Sequence, residues 1–144
     1  MSAKSNRVCL CLDRSTLADN WALLQSQKYF DPAQDVVELR LDFMLDYSGT
    51  NALEQSLNKL CKDFVTFPPP VTVPFILTLR KKIDGGLCPD SLPDSDYLTI
   101  LKHCLAVFPA AYLDLDAGLW QRIVPRSRGE ASAVFSGLLS LLSE

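Results

Sequence analysis

The sequence predicts an α/β fold, in which four strand–helix units form a parallel sheet and an amphipathic helix follows them. One observation is the alternation of short apolar runs, typical of buried strands, with longer stretches of helical periodicity. A second is that charged residues end three of these runs. Parallel α/β proteins place their binding residues at the carboxyl ends of successive strands, so both observations favour the same fold.

The first unit begins with an apolar strand over residues 8–12. A helix follows from Thr16, because Asp19 stands three residues further on in a near capping box. The second strand begins near Asp35, and Asn51 opens a second helix through a similar box. Helical spacing predicts that one apolar face of this helix packs on the sheet. That face is formed by Leu53, Leu57, Leu60, Cys61 and Phe64.

The third and fourth units follow the same order. Consecutive prolines at residues 68–70 cannot continue a helix, and they return the chain to a third strand over residues 74–79. A loop over residues 85–93 precedes a third helix, which Ser95 caps, and a fourth strand covers residues 111–116. Repeated strand–helix units require right-handed crossovers and a parallel sheet.

Charged side chains cluster at the ends of these strands. Glu38, Arg40 and Asp42 alternate at the end of the second strand, so we expect them to share one face of the sheet. Burying them is unfavourable unless they neutralise one another or bind something polar. Arg80 ends the third strand and enters a charged loop closed by glycines, and the fourth strand ends in carboxylates. The pattern favours a polar ligand at this edge of the sheet.

Three segments match one family in order and in approximate spacing. They are Glu38-Leu39-Arg40-Leu41-Asp42, then Thr78-Leu79-Arg80 with Asp84 and paired glycines behind it, then Tyr112-Leu113-Asp114. Together they resemble type I 3-dehydroquinate dehydratase, from about Val8 to Asp116. That family is a TIM-barrel lyase of the shikimate pathway, in aromatic amino acid biosynthesis, and it converts 3-dehydroquinate to 3-dehydroshikimate. The resemblance implies that residues 1–116 form the N-terminal half of a TIM barrel.

The resemblance also implies roles for individual residues. It places Glu38, Arg40 and Arg80 among the groups that hold the hydroxyls and ring of 3-dehydroquinate. Asp84 falls where the family has a glutamate beside its catalytic histidine, and its side chain is one methylene shorter. In the family a lysine forms a Schiff base with the substrate ketone and a histidine moves protons. Both come from the second half of the barrel.

The sequence offers no counterpart of these two catalytic residues. A complete barrel takes about 250 residues, and 144 residues supply roughly four or five of its eight units. The sole histidine, His103, lies in a helical stretch between the third and fourth strands. Lys81 and Lys82 stand beside the predicted pocket, but adjacent lysines in a polar loop are typical of a solvated turn. We therefore expect a truncated family member that is inactive by itself.

Residues 117–144 form a divergent tail in this interpretation. We expect residues 118–130 to be irregular and basic, followed by an amphipathic helix that covers the open sheet or pairs with another chain. The apolar face of that helix is Ala131, Val134, Phe135, Leu138, Leu139 and Leu142.

Composition and charge limit the classes of partner that the sequence is expected to bind. A hydrophobic share of 48% and a charged share of 22% are typical of a soluble globular domain. A net charge of −3 without a basic patch argues against nucleic acid. No apolar run approaches the 18 or so residues of a membrane span, and the amino terminus lacks the apolar core of a signal peptide, so we expect a cytoplasmic protein. The five cysteines form no C-x-x-C pair, which argues against a metal site, and their odd number scattered along the chain predicts reduced, buried thiols. We expect no cofactor.

Three functions remain open on these grounds. The first is a 3-dehydroquinate dehydratase, either as a natural truncated homologue or as a piece that needs a complementing second-half chain. The second is a catalytically inactive remnant that binds a polyhydroxylated cyclic acid weakly or not at all. The third is an interaction module in which the charged strand ends form internal ion pairs and the tail helix docks on a partner. The open face and edges of a half barrel also favour association, including a homo-oligomer.

Overall fold

The structure is a computed structural model, and it describes residues 7–123, apart from the side chains of residues 110, 111 and 123. Strands and helices alternate from one end of this region to the other. The elements are β1 (Cys9–Leu12), α1 (Leu17–Ser26), β2 (Val36–Arg40), a 3₁₀ turn (Leu41–Phe43), α2 (Thr50–Thr66), β3 (Phe75–Thr78), a 3₁₀ turn (Lys82–Asp84), α3 (Asp94–Leu105), β4 (Ala110–Asp114) and α4 (Ala117–Ile123).

The four strands form one parallel sheet in the order β1-β2-β3-β4. This arrangement confirms the predicted α/β fold and is that of a partial TIM barrel, which is not closed within residues 7–123. A bulge between Phe75 and Ile76 shifts the register of β3 against β4. The charged strand ends remain level in spite of it, since Thr78 pairs with Arg40 on one side and with Asp114 on the other.

Helix starts agree with the sequence prediction at one site and differ at two. Thr16 caps α1, and its Oγ1 accepts the backbone N–H of Asp19 at 3.1 Å. The predicted capping by Asn51 is wrong, because α2 begins one residue earlier on the carbonyl of Gly49 and has no side-chain cap. The predicted capping by Ser95 is wrong too, because α3 begins at Asp94, directly after Pro93.

The fourth helix corrects another prediction. We expected residues 118–130 to be irregular, yet Ala117–Ile123 is helical. The reason is Asp116, whose Oδ2 accepts the N–H of Leu119 at 2.8 Å while its backbone carbonyl accepts that of Trp120. The predicted amphipathic helix over residues 131–142 lies outside the described residues, and the domain boundary after Asp116 stays a prediction.

One face of the sheet carries the hydrophobic core. Val37, Leu39 and Leu77 are fully buried beneath the helices. Trp21 of α1 packs against Phe64 of α2 at 6.1 Å between ring centroids. Its indole Nε1 donates to the Phe67 carbonyl at 2.9 Å, which fixes the segment that leads into the prolines.

The other face of the sheet is open. Register places Cys11, Glu38, Ile76 and Tyr112 in one row on this face, and each of them is exposed or half-buried. This is the face that a closed barrel turns inwards. Glu38 and Asp114, near the strand ends of this face, keep exposed surface that a ligand can reach, whereas Arg40 and Thr78 are buried.

Candidate functional site

A charged network joins three neighbouring strands at the end of the open face. Arg80 Nη2 lies 3.3 Å from Glu38 Oε1 and 3.3 Å from Asp114 Oδ2. The Thr78 hydroxyl also donates to Glu38 Oε1, at 2.9 Å. Alternation along the strands aims these side chains the same way, since Thr78 and Arg80 are two residues apart. The predicted convergence of Glu38 and Arg80 is thus present in the structure.

Arg40 and Asp42 form a separate, buried ion pair. Arg40 Nε and Nη2 donate to the two carboxylate oxygens of Asp42 at 2.9 and 2.8 Å, and Asp42 has no exposed surface. This hydrogen bonding raises the pKa of Arg40 above its usual value. We expected Asp42 to continue the strand, which is wrong: β2 ends at Arg40, and a 3₁₀ turn carries Asp42 back towards the guanidinium.

Backbone hydrogen bonds within the loop after β3 hold it in a compact turn. The N–H of Gly86 donates to the carbonyl of Lys81 at 2.8 Å, and a Cβ on Gly86 would stand 2.0 Å from the Arg80 carbonyl oxygen. Gly85 has a φ of 84°, in the left-handed region that favours glycine. Each of the paired glycines is therefore required for its own reason: Gly85 for its backbone conformation, and Gly86 for the lack of space for a side chain.

This loop also determines the surroundings of the two lysines. Lys82 is exposed, as a solvated turn predicts, whereas Lys81 is only 9% exposed, so the prediction is wrong for Lys81. The Lys81 ammonium lies 5.6 Å from the centroid of the Tyr97 ring. Tyr97 is itself buried in α3, and its hydroxyl donates to the Leu79 carbonyl at 2.7 Å.

A cavity of about 240 Å³ opens at the carboxyl ends of β3 and β4. Both basic and acidic groups line it, and Ala117 at the start of α4 contributes to the lining. Its charged and aromatic lining residues are Arg80, Lys81, Asp84, Tyr97, Asp114 and Asp116. A cavity of this size, with fixed charges at strand ends, can hold a small polar ligand.

Comparison with known proteins identifies the family. A family model described as type I 3-dehydroquinase matches residues 8–136. The chain belongs to the type I 3-dehydroquinase family. The match continues past Asp116, where the sequence motifs end. A search of curated proteins gave no match.

The residues that resemble the dehydroquinase motif do not all have the same freedom to bind a ligand. Glu38 and Arg80 are half-buried on the open face. Arg40 is buried, and Asp42 takes two of its donor nitrogens. Asp84 is exposed on the 3₁₀ turn and lines the cavity.

His103 lies where the sequence predicts, on α3. Its Nδ1 is 2.9 Å from the Thr99 carbonyl oxygen, one turn earlier in the helix. It lines a separate groove of about 590 Å³ between α2 and α3, together with Glu54 and Asp96. That groove shares no lining residue with the cavity at the strand ends, so His103 does not line that cavity.

Burial raises the pKa of the thiols near the site, Cys9, Cys11 and Cys88. Burial, with Glu38 nearby, raises the pKa of Cys11 to about 11. Cys9 is exposed, and Cys88 and Cys104 are buried, so the predicted burial holds for only part of the set. Within residues 7–123, no group of three or more potential ligands could hold a metal ion. None of the described helices has the length and apolarity needed to cross a membrane.

Sequence reasoning missed two residues of this site. Tyr97 lies 17 positions after Arg80 on a different element, and nothing in the local pattern connects them. Thr78 was visible as part of the Thr78-Leu79-Arg80 motif, and its spacing from Arg80 predicts a shared face, which would have suggested its bond to Glu38.

Proposed function

We propose that this protein binds 3-dehydroquinate and acts in its dehydration to 3-dehydroshikimate, a lyase step of the shikimate pathway in the cytoplasm. The observation that supports this best is the Glu38–Arg80–Asp114 network on an accessible sheet face. Membership of the type I 3-dehydroquinase family supports 3-dehydroquinate as the proposed substrate. A guanidinium held by two carboxylates is a rigid donor, suited to the hydroxyls of a polyhydroxylated ring.

Each residue of the proposed site has a distinct role. Arg80 and Glu38 contact substrate hydroxyls, since both are half-buried and face the open side. Arg40 contacts the substrate through Nη1, because its other two guanidinium nitrogens, Nε and Nη2, donate to Asp42. Asp84 occupies the position of the supporting glutamate with a shorter side chain.

We also propose that the 144 residues bind the substrate without dehydrating it. The family's chemistry needs a Schiff-base lysine and a proton-transferring histidine. The one histidine of the sequence is on α3, outside the cavity. A complementing second-half chain would supply both groups. A homo-oligomer would also cover the open face, but each copy brings the same single histidine on α3.

Two measurements test this proposal. Thermal denaturation with and without 3-dehydroquinate reports binding, because a ligand of the folded state raises Tm by mass action. We expect a concentration-dependent rise for the parent, none for Arg80→Met, and the parental rise for Arg14→Met, whose guanidinium is on the surface. Failure of the parent to respond would overturn the proposed function.

The chemical step has its own assay. Formation of the enone of 3-dehydroshikimate is followed by absorbance, and borohydride trapping with mass analysis detects any Schiff base. We expect neither signal from the 144 residues alone. Turnover with a trapped lysine would contradict the proposed lack of chemistry, while leaving the proposed substrate intact.

A second candidate function has one specific observation in its favour. Arg40 and Arg80 are both ion-paired to protein carboxylates, as expected of charges that only stabilise an interaction module. The same titration distinguishes the two, because a purely structural network gives no response to 3-dehydroquinate.

A further inference from the structure

Lys81 is a buried cation without a carboxylate partner in the described part of the chain. Its side chain is nine-tenths buried, yet no ion pair of the described residues includes it. The other cations of this region are matched: Arg40 pairs with Asp42, and Arg80 with Glu38 and Asp114. Removing an ammonium from water without a counter-charge is unfavourable, and the Tyr97 ring offsets only part of that loss.

The Lys81 ammonium lies beside the cavity. It makes no hydrogen bond within residues 7–123, whereas no fully buried side-chain nitrogen or oxygen of that region is left without a partner. Its nitrogen therefore keeps some solvent contact in spite of the burial of its stem. Lys81 and Tyr97, whose ring the ammonium faces, both line the 240 Å³ cavity, which places the ammonium beside that cavity.

The position of Lys81 is fixed by its backbone. Its carbonyl accepts the N–H of Gly86 at 2.8 Å and that of Asp84 at 3.1 Å, and its backbone pairs with Cys88 in an isolated bridge. A side chain that starts from a fixed backbone and lies over a buried ring loses little further entropy when it binds an anion.

The acidic residues of the cavity do not neutralise Lys81. Asp114 is engaged by Arg80 at 3.3 Å. Asp116 Oδ2 accepts the backbone N–H that caps α4 and lies 3.7 Å from Arg122 Nη2. Asp84 is exposed to solvent, which screens its charge. The cavity therefore has one cation available for a ligand, next to an arginine that is already paired.

We propose that Lys81 is the anchor for the carboxylate of a small hydroxylated acid bound in this cavity. The inference rests on the proposed function and adds to it, because Arg80 then contacts hydroxyls while Lys81 binds the acid group. The volume agrees with a small acid, since drug-sized ligands occupy sites of about 300–1,000 Å³. A charge-assisted hydrogen bond from the ammonium gives the site its preference for an anion.

The test compares an acid with its uncharged ester. Isothermal titration calorimetry measures Kd for 3-dehydroquinate and for its methyl ester with the parent, Lys81→Met, Lys81→Arg and Lys82→Met. Lys81→Met keeps the length of the stem and removes the charge, and Lys82→Met makes the same change at an exposed neighbour. Thermal denaturation of each variant verifies that it is folded.

We expect the parent and Lys82→Met to prefer the acid over the ester. Lys81→Met should bind the acid roughly 10- to 100-fold more weakly and the ester with unchanged affinity, and Lys81→Arg should restore most of the preference. A merely structural Lys81 would lower Tm in Lys81→Met and leave the ratio of acid to ester unchanged, which would overturn the inference alone. Absence of binding by the parent would overturn the proposed function and this inference together.

Discussion

Replacing Arg40 by methionine removes the positive partner from the most deeply buried ion pair of the described residues. Asp42 has no exposed surface, and its carboxylate would lose two hydrogen bonds of 2.9 and 2.8 Å. It would keep only the bond from the N–H of Leu87, at 3.0 Å. Breaking one side of a buried pair leaves an uncompensated charge, so we expect a loss of about 3–5 kcal/mol in the free energy of unfolding.

The double variant Arg40→Met/Asp42→Leu removes both charges and is expected to be more stable than Arg40→Met alone. What loses its acceptor is the N–H of Leu87, and because this residue is 44% exposed, water can replace part of the lost bond. The two substitutions should therefore be strongly non-additive. That pattern identifies the pair as one structural unit.

Urea denaturation at neutral pH measures these free energies from the midpoint and slope of each transition. The control is Arg14→Met, since Arg14 and Asp13 form a surface pair at 3.7 Å with side chains 55% and 44% exposed. We expect a change of less than about 1 kcal/mol there. An equally small change in Arg40→Met, or additive effects in the double variant, would refute the burial argument.

Three further predictions concern a glycine, an aspartate and a thiol. Gly86→Ala places a methyl group 2.0 Å from the Arg80 carbonyl oxygen, so we expect a loss of about 2 kcal/mol or more in urea denaturation, and parental stability would refute the close approach. Two backbone N–H groups hold the pKa of Asp35 below its ordinary value. Its stabilising contribution is therefore present above a pH of about 3.9 and lost as the pH falls below that value, so the stability difference between the parent and Asp35→Asn should shrink in acid. A hydrogen bond with Cys104 lowers the pKa of Cys61, so iodoacetamide should alkylate Cys61 before the buried Cys104, and mass spectrometry of the digested peptides would show the reverse order if the assignment is wrong.

The order and type of the strands were predictable because buried strands have a strong apolar signal. Residues 8–12 and 74–79 contain β1 and β3 with only small shifts at their ends. The convergence of Glu38 with Arg80 was predictable as well, since parallel strands bring their carboxyl ends together.

The conformation of short charged turns was not predictable. Alternation suggested that Asp42 extends the strand, but pairing with Arg40 and a backbone bond from Leu87 stabilise a turn in its place. Lys81 was misjudged for a related reason. Its burial depends on Tyr97, which a distant helix supplies, and local sequence contains no information about that contact.

The bond from the N–H of Leu87 to Asp42 connects the loop after β3 to the turn after β2. Two stretches of chain that are far apart in sequence, the turn that carries Asp42 and the loop that carries Leu87, are therefore joined into one rim beside the strand ends. We expect a substitution at Asp42 to shift the loop backbone that carries Lys81, although the two side chains have different partners. A substitution on this rim can therefore change ligand affinity by moving the backbone as well as by removing a direct contact. Variants that leave Asp42 and Leu87 in place are needed to distinguish these two effects.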